Sequence, residues 1–325
     1  MNTKKSLPLA LAADIGGTRM RAALIDTNGR VAQRRAQDTN GIHGPEQAME
    51  RLADDLKGLA SSASPQSIVG LGLAVASSFD TTRGVMFSPP NLPAWHNFAP
   101  GAYLKRKLGY KTFARNDANL AVLGELRFGA GRGLRHLVYL TISTGVGGGI
   151  IIDGKMYEGY RGMGAELGHM TIEKDGPLCG CGNRGCLEAL ASGTAIARTA
   201  REGLASGKSS SLLALAGGDI NKVDARVVGQ AARAGDAFAR EIMRDASYNI
   251  GVTIAGLLNF FDPEMVILGG GVSNDLDMMM PFIMEAVRTR TMAHNREPVP
   301  IVRSRLGDDA GLVGAAALAF DLLQA

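Results

Sequence analysis

Cysteine is nearly absent from this chain: there are three in 325 residues, all between Cys179 and Cys186. That odd number, with nothing else pointing to an oxidising compartment, argues against a disulfide framework. There is one tryptophan, Trp95, which reads as a packing anchor rather than a stacking platform. Lysine and arginine form no block, and the net charge of +4 is spread along the sequence. The basic pI of about 9.0 is therefore weak evidence for an anionic ligand and none for a nucleic-acid partner. No apolar run approaches the roughly 20 residues of a membrane helix, so no membrane partner is expected. Lys4-Lys5 followed by Leu7 to Ala13 looks like a signal peptide in miniature, but Asp14 follows at once. We read Leu9 to Ala13 as a first strand and expect a cytoplasmic protein.

What is present suits a soluble globular chain: 46% hydrophobic and 20% charged residues, with length for about two domains. The 43 glycines predict many tight turns. The three cysteines sit in Cys179-Gly-Cys181-Gly-Asn-Arg-Gly-Cys186-Leu-Glu188, shortly after Glu166-Leu-Gly-His169. Three thiolates and an imidazole make a Cys₃His set, a common closed shell for structural zinc. The alternative is three unrelated core cysteines, but free cysteines are usually scattered. Gly180-x-Gly182-x-x-Gly185 spells a dinucleotide fingerprint but follows no strand, so we discard it.

Two further stretches share one pattern. Leu9 to Ala13, Asp14-Ile-Gly16-Gly17-Thr18 and Arg19 to Asp26 read as strand, glycine turn, strand. His136 to Ser143, Thr144-Gly145-Val-Gly147-Gly148-Gly149 and Ile150 to Asp153 repeat it. Glycines in such a turn let backbone N–H groups approach a phosphate, although alone each is an ordinary hairpin. Asp14 could hold a water on Mg²⁺, and Thr18 could donate its hydroxyl. A third glycine turn, Gly269-Gly270-Gly271, follows the strand Met265 to Leu268. Neither hairpin turn is a Walker loop, since no Gly-Lys-Ser/Thr follows. Asn116-Asp117-Ala-Asn119 stands between a strand, Lys111 to Arg115, and a helix through Leu126; by spelling alone Asp117 is an N-cap. Helices are also expected at Pro45 to Ala60, Ala189 to Gly203, Ala225 to Gly235, Ala237 to Phe261 and from Asp308. Strands are expected at Ile68 to Ala76 and Pro300 to Ser304. His43, His96, His136 and His294 have no metal-type neighbours.

Gly168-His169 followed by Cys-x-Cys-Gly-x-x-Gly-Cys-x-Glu resembles the signature of the ROK family (repressor, ORF, kinase) of bacterial sugar kinases and sugar-responsive repressors. The paired hairpins resemble the two-lobed, actin/hexokinase-like ATPase fold, an α/β architecture of ribonuclease H-like lobes, here with a structural zinc loop. The resemblance implies a small lobe of 1–118, joined by a C-terminal helix at 308–325, and a large lobe of 119–307 bearing the zinc. It implies an ATP-dependent kinase phosphorylating a hexose at its primary hydroxyl, glucose first, with fructose, mannose, allose or N-acetylmannosamine as alternatives. Asp117 would be the general base. Asn91, Asn116, Asp117, Glu166, His169 and Glu188 would hold the sugar. Asp14, Gly16, Gly17, Thr18, Thr144, Gly145, Gly270 and Gly271 would surround ATP and Mg²⁺. His169, Cys179, Cys181 and Cys186 would hold Zn²⁺, with the second nitrogen of His169 facing the sugar. Asn91 belongs to Ser88-Pro-Pro-Asn91-Leu-Pro-Ala-Trp95, similar to a segment bordering the sugar in ROK glucokinases. Those enzymes often carry Gly-Pro where this chain has Ala76-Ser77, so the hexose stays open. The rival class is the family's sugar-sensing repressor. Only thirteen residues precede Asp14, too few for a helix-turn-helix, so an enzyme is expected. A homodimer or homotetramer is the expected assembly.

Overall fold

The computed structural model describes residues 7–41, 44–64, 67–87, 92–292 and 298–324. Asn91, His43 and His294 lie outside them. Among the described residues the chain divides into two compact units, one of Met1–Leu137, Gly149–Ala165 and Ser304–Ala325, the other of Val138–Gly148 and Glu166–Arg303.

The first unit is built on β1 (Leu9–Ile15), β2 (Arg19–Asp26), β3 (Val31–Asp38), β4 (Ile68–Val75) and β7 (Thr112–Asn116), in sheet order β3-β2-β1-β4-β7. Between β4 and β7 come the short antiparallel pair β5 (Phe79–Asp80) and β6 (Val85–Met86) and the helix α2 (Pro100–Leu108). β1 pairs antiparallel with β2 and parallel with β4, and β4 pairs parallel with β7. The alternation within β4 explains how both faces are covered. Leu71, Leu73 and Val75 share a core cluster with Met49, Leu52 and Leu56 of helix α1 (Glu46–Ala60). The opposite face carries only Gly70, Gly72 and Ala74, on which helix α10 (Ala310–Gln324) lies. A Cβ on Gly72 would stand 1.8 Å from the carbonyl oxygen of Ala315, so only glycine admits the helix this closely. α10 packs as tightly on α3 (Asp117–Phe128): a Cβ on Gly314 would fall 1.7 Å from the Leu120 carbonyl oxygen. This contact puts α3 in the first unit. Trp95 is fully buried, and its Nε1–H donates to the Gly41 carbonyl at 2.9 Å; the packing-anchor reading holds.

The second sheet has the order β10-β9-β8-β11-β12, from β8 (Leu137–Ile142), β9 (Val146–Ile152), β10 (Lys155–Met156), β11 (Met265–Gly269) and β12 (Ile301–Arg303). β9 starts at Val146, four residues earlier than expected. Helices of the second unit are α4 (Leu187–Ala191), α5 (Gly193–Ala205), α6 (Leu212–Leu215), α7 (Ala225–Arg233), α8 (Ala237–Phe261) and α9 (Leu276–Arg290). The expected helix at 189–203 is two, broken at Ser192, whose side chain caps α5 by accepting from Ala195 N–H. α8 buries Ile242, Ile250, Ile254, Leu257 and Leu258, as its periodicity predicts, and ends at Asp262 in a left-handed conformation ahead of Pro263. No helix among the described residues is long and apolar enough to cross a membrane.

Candidate active site

In the first unit the candidates gather at one sheet edge. Parallel pairing aligns Ile15 with Val75 and Val75 with Asn116, so β1, β4 and β7 end together. Ligand sites of open α/β sheets lie beyond such carboxyl ends. The first glycine turn is there: Gly16 N–H donates to Arg19 O at 3.0 Å, and the buried Thr39 hydroxyl donates to Gly16 O at 2.7 Å. Thr18 is exposed. Asp14 sits opposite Arg21 in the hairpin register and forms an ion pair with it through Oδ2. Arg21 also donates to Asp308 O at 2.7 Å. Burial opposes its charge, but the carboxylates of Asp14 and Asp309 outweigh that and raise its pKa. Sequence reading missed Arg21, although hairpin pairing across a turn at 16–19 points to it.

Asp117 is the first residue of α3, and the cap is its neighbour. Asn116 Oδ1 accepts from Ala118 N–H at 2.9 Å and Asn119 N–H at 3.1 Å. Its Nδ2 donates to Ser77 O at 3.2 Å. The capping reading of Asp117 therefore falls to Asn116, whose oxygen is committed to the helix. One Asp117 oxygen accepts from Ala118 N–H at 2.8 Å, within a half-buried setting. Two turns on, the fully buried Glu125 accepts from Ala130 N–H, the Ser304 hydroxyl and Leu306 N–H, fixing the approach to α10.

The second unit gathers the remaining candidates around the end of β8. Thr144 O accepts the Thr194 hydroxyl at 2.7 Å, and Gly193 N–H donates to Ser143 O at 2.7 Å, so α5 begins against the second glycine turn. Gly270 has a φ of +82°, and a Cβ there would lie 2.4 Å from the Ile142 carbonyl oxygen. The third turn thus abuts the same strand end, while Gly271 has open space where its Cβ would be.

Glu166 and His169 stand three apart on one 3₁₀ turn, where residues i and i+3 project together. Ala165, just before, holds the left-handed φ of +66°, a strained conformation for a residue with a Cβ. His169 Nδ1 lies 3.6 Å from Cys179 Sγ, and Cys181 Sγ lies 3.7 Å from Cys186 Sγ. All four donor atoms fall within 4.8 Å of one another. A tetrahedral ion with Zn–S and Zn–N bonds of about 2.3 and 2.0 Å would set sulfur–nitrogen separations of about 3.5 Å and sulfur–sulfur separations of about 3.8 Å. The donor set and spacing fit such an ion, and Nε2 of His169 is left for another partner. Gly182 and Gly185 turn the loop at φ of +92° and +66°; at Gly185 a Cβ would collide with the Glu173 carbonyl at 1.5 Å. Burial, then the neighbouring thiols, pushes the Cys186 thiol up to about 12, and burial raises Cys179. A dication reverses that cost by holding thiolates. Glu188 reaches out of this cluster: Oε1 is 3.8 Å from Cys179 Sγ and Oε2 accepts from Val146 N–H at 3.0 Å.

The ROK family profile matches residues 10–321. The chain belongs to the ROK family. Among ROK relatives it is 39% identical over 308 residues to a glucokinase of Thermotoga maritima, covering 95% of this chain and 96% of that one. It is 34% identical to an N-acetylmannosamine kinase of Salmonella arizonae, over 95% and 97% of the two chains. The ROK glucokinase of Streptomyces griseus, crystallised with glucose and AMPPNP, superposes with a TM-score of 0.85 at 32% identity, over 96% of this chain and 99% of that one. The α/β, hexokinase-like architecture is thus that of the ROK sugar kinases.

Proposed function

We propose that this protein is an ATP-dependent sugar kinase that converts glucose to glucose 6-phosphate. The observation that carries the reading is the end-to-end likeness, in sequence and in structure, to ROK glucokinases, one of them crystallised with glucose and an ATP analogue.

Asp117 is the general base. It takes the proton of the sugar's primary hydroxyl as that oxygen bonds to the γ-phosphorus and the bond to the ADP oxygen breaks. Its place at the start of α3, just beyond the end of β7, supports this role. Asn116 serves chiefly by holding α3 and Ser77, with one amide hydrogen left for the sugar. Glu166, Glu188 and His169 Nε2 complete the polyol contacts, since carboxylates and imidazole form directional bonds to hydroxyl pairs. Asn91, from the proline-rich segment, is a further sugar ligand in this reading.

The turns of Asp14 to Thr18, Thr144-Gly145 and Gly270-Gly271 take the nucleotide. Both Arg21 contacts fall on Asp14 Oδ2, so Oδ1 would accept a water of Mg²⁺. The magnesium that accompanies ATP supplies charge neutralisation at the phosphates. The Cys₃His set holds a structural zinc, because four protein ligands leave no open position.

The test is a sugar panel with ATP and a coupled ADP readout. Glucose should give the highest kcat/KM, ahead of mannose, fructose, allose and N-acetylmannosamine. A preference for N-acetylmannosamine would move the protein to the other relatives' activity. No turnover on any sugar, with binding of an operator DNA, would move it to the repressor class.

A further inference from the structure

We propose that Glu188 is a positioning residue for the nucleotide turn, through which the state of the Cys/His cluster sets the geometry of Thr144 to Val146. The inference rests on the reading of that turn as a phosphate turn. Glu188 is known to the sequence only as the last residue of the cysteine motif, and its place there suggests a sugar contact alone. The structure gives it a second task.

Cys186 is the residue before α4. Leu187 N–H donates to Met170 O at 3.0 Å, so the start of α4 is tied to the segment just after His169. Glu188 then projects from the first turn of α4, with Leu187 and Ala189 buried on either side. One carboxylate oxygen lies beside Cys179 Sγ, and the other takes the backbone N–H of Val146. That N–H begins β9, directly after Thr144-Gly145. The fit is tight: a Cβ on Gly145 would lie 2.5 Å from Glu188 Oε2. The other side of Val146 is addressed from the same loop, since a Cβ on Gly168 would be 1.9 Å from the Val146 carbonyl oxygen. Glu188 thus bonds the Val146 N–H, while Gly168, next to His169, packs closely against its carbonyl. A carboxylate accepting a backbone N–H is a charge-assisted bond, stronger than a neutral one and directional. Residues that hold a ligand's supporting groups tune the site they support. Loss of the ion frees Cys179 and Cys186, releases the start of α4, and lets the Glu188 carboxylate leave Val146. The turn then loses its fixed shape without any change to its own residues.

The experiment is calorimetric titration of AMPPNP without sugar, on protein with its zinc content measured. Stripping wild type with a chelator should weaken AMPPNP binding about tenfold, the cost of one charge-assisted hydrogen bond. Glu188→Ala with metal retained should weaken it to the same extent, and stripping that variant should add nothing. Glu188→Gln keeps an oxygen for Val146 N–H and should bind AMPPNP near the wild-type level, even where sugar affinity falls. Gly145→Ala, which pushes the carboxylate off while leaving every cluster residue in place, should reproduce the loss at full zinc content. This variant also covers the case in which Glu188→Ala does not fold. Equal AMPPNP affinity in loaded wild type, stripped wild type and Gly145→Ala would overturn the inference. Loaded wild type that binds no AMPPNP would overturn the phosphate-turn reading, and this inference with it, before any variant is made.

Discussion

The same residue type does different work at neighbouring positions. Asn116 and Asp117 are adjacent polar residues at a strand-to-helix junction, and only the first caps. Asp117→Asn keeps shape and hydrogen bonding but cannot accept a proton. We expect a fall in kcat of about 10²–10⁴-fold with unchanged thermal unfolding. Wild-type turnover by the folded variant would remove Asp117 from the reaction. Gly270 and Gly271 make a similar contrast. Gly270 needs its positive φ and its approach to Ile142, whereas Gly271 has open space. Gly270→Ala should lower Tm by several degrees, since a collision and a left-handed backbone both cost stability. Gly271→Ala should leave Tm alone and weaken nucleotide binding, because there the missing side chain makes room for ligand. Equal Tm values for the two variants would contradict that division. The cysteine cluster was legible at this scale because its ligands are close in sequence. Arg21, Thr194 and the Val146 contact were not, because their partners come together only by tertiary pairing.

At the level of elements, hydrophobic patterning located α1, α8, β1 and β4, whose buried faces repeat at helix or strand period. It missed β3, whose Gln33, Arg34 and Arg35 are exposed; that strand exists because β2 offers an edge, and its charges discourage further pairing. It also missed α9, where Pro281 sits inside the helix. Helix α8 owes part of its start to one side chain. Asp236 caps it through Ala239 N–H, and also accepts from the Ser210 hydroxyl and from Ser211 N–H and hydroxyl. Burial works against its charge, but these donors prevail and hold its pKa down to about 2. Because the folded value lies below the unfolded 3.8, the stabilisation is present above about pH 4 and is lost as pH falls towards 2. Asp236→Ala should cost about 1–2 kcal/mol near neutral pH, allowing for solvent screening. The Tm gap between wild type and variant should shrink markedly between pH 6 and pH 2.5. A constant gap would mean that the carboxylate's charge is not its source.

For the whole molecule, the decisive feature is that each unit carries its own core. The first is organised by Leu71, Leu73 and Val75 against α1, with α10 on the other face. The second contains the Cys/His cluster, Glu188 and two glycine turns. The two-hairpin pattern made this duality legible in sequence; the close packing of α10 on α3 was not, because it depends on glycines that meet across nearly two hundred residues. The consequence is a spatially selective response to metal loss. Structural zinc in isolated peptides contributes about 10–16 kcal/mol of folding-linked binding energy, comparable to a typical domain's whole net stability. A unit with its own buried core does not unfold outright when the ion leaves, but opens where the ion holds it. Hydrogen exchange of the zinc-loaded and chelator-stripped protein should therefore differ most at 167–191, and next at 143–148, where Glu188 bonds Val146 N–H. Amides of β1 and β4 should exchange at the same rate in both. Equal deprotection of β1 and β4 would mean that the cluster stabilises the molecule as one cooperative body. Deprotection at 167–191 with 143–148 unchanged would mean that its influence ends at the loop.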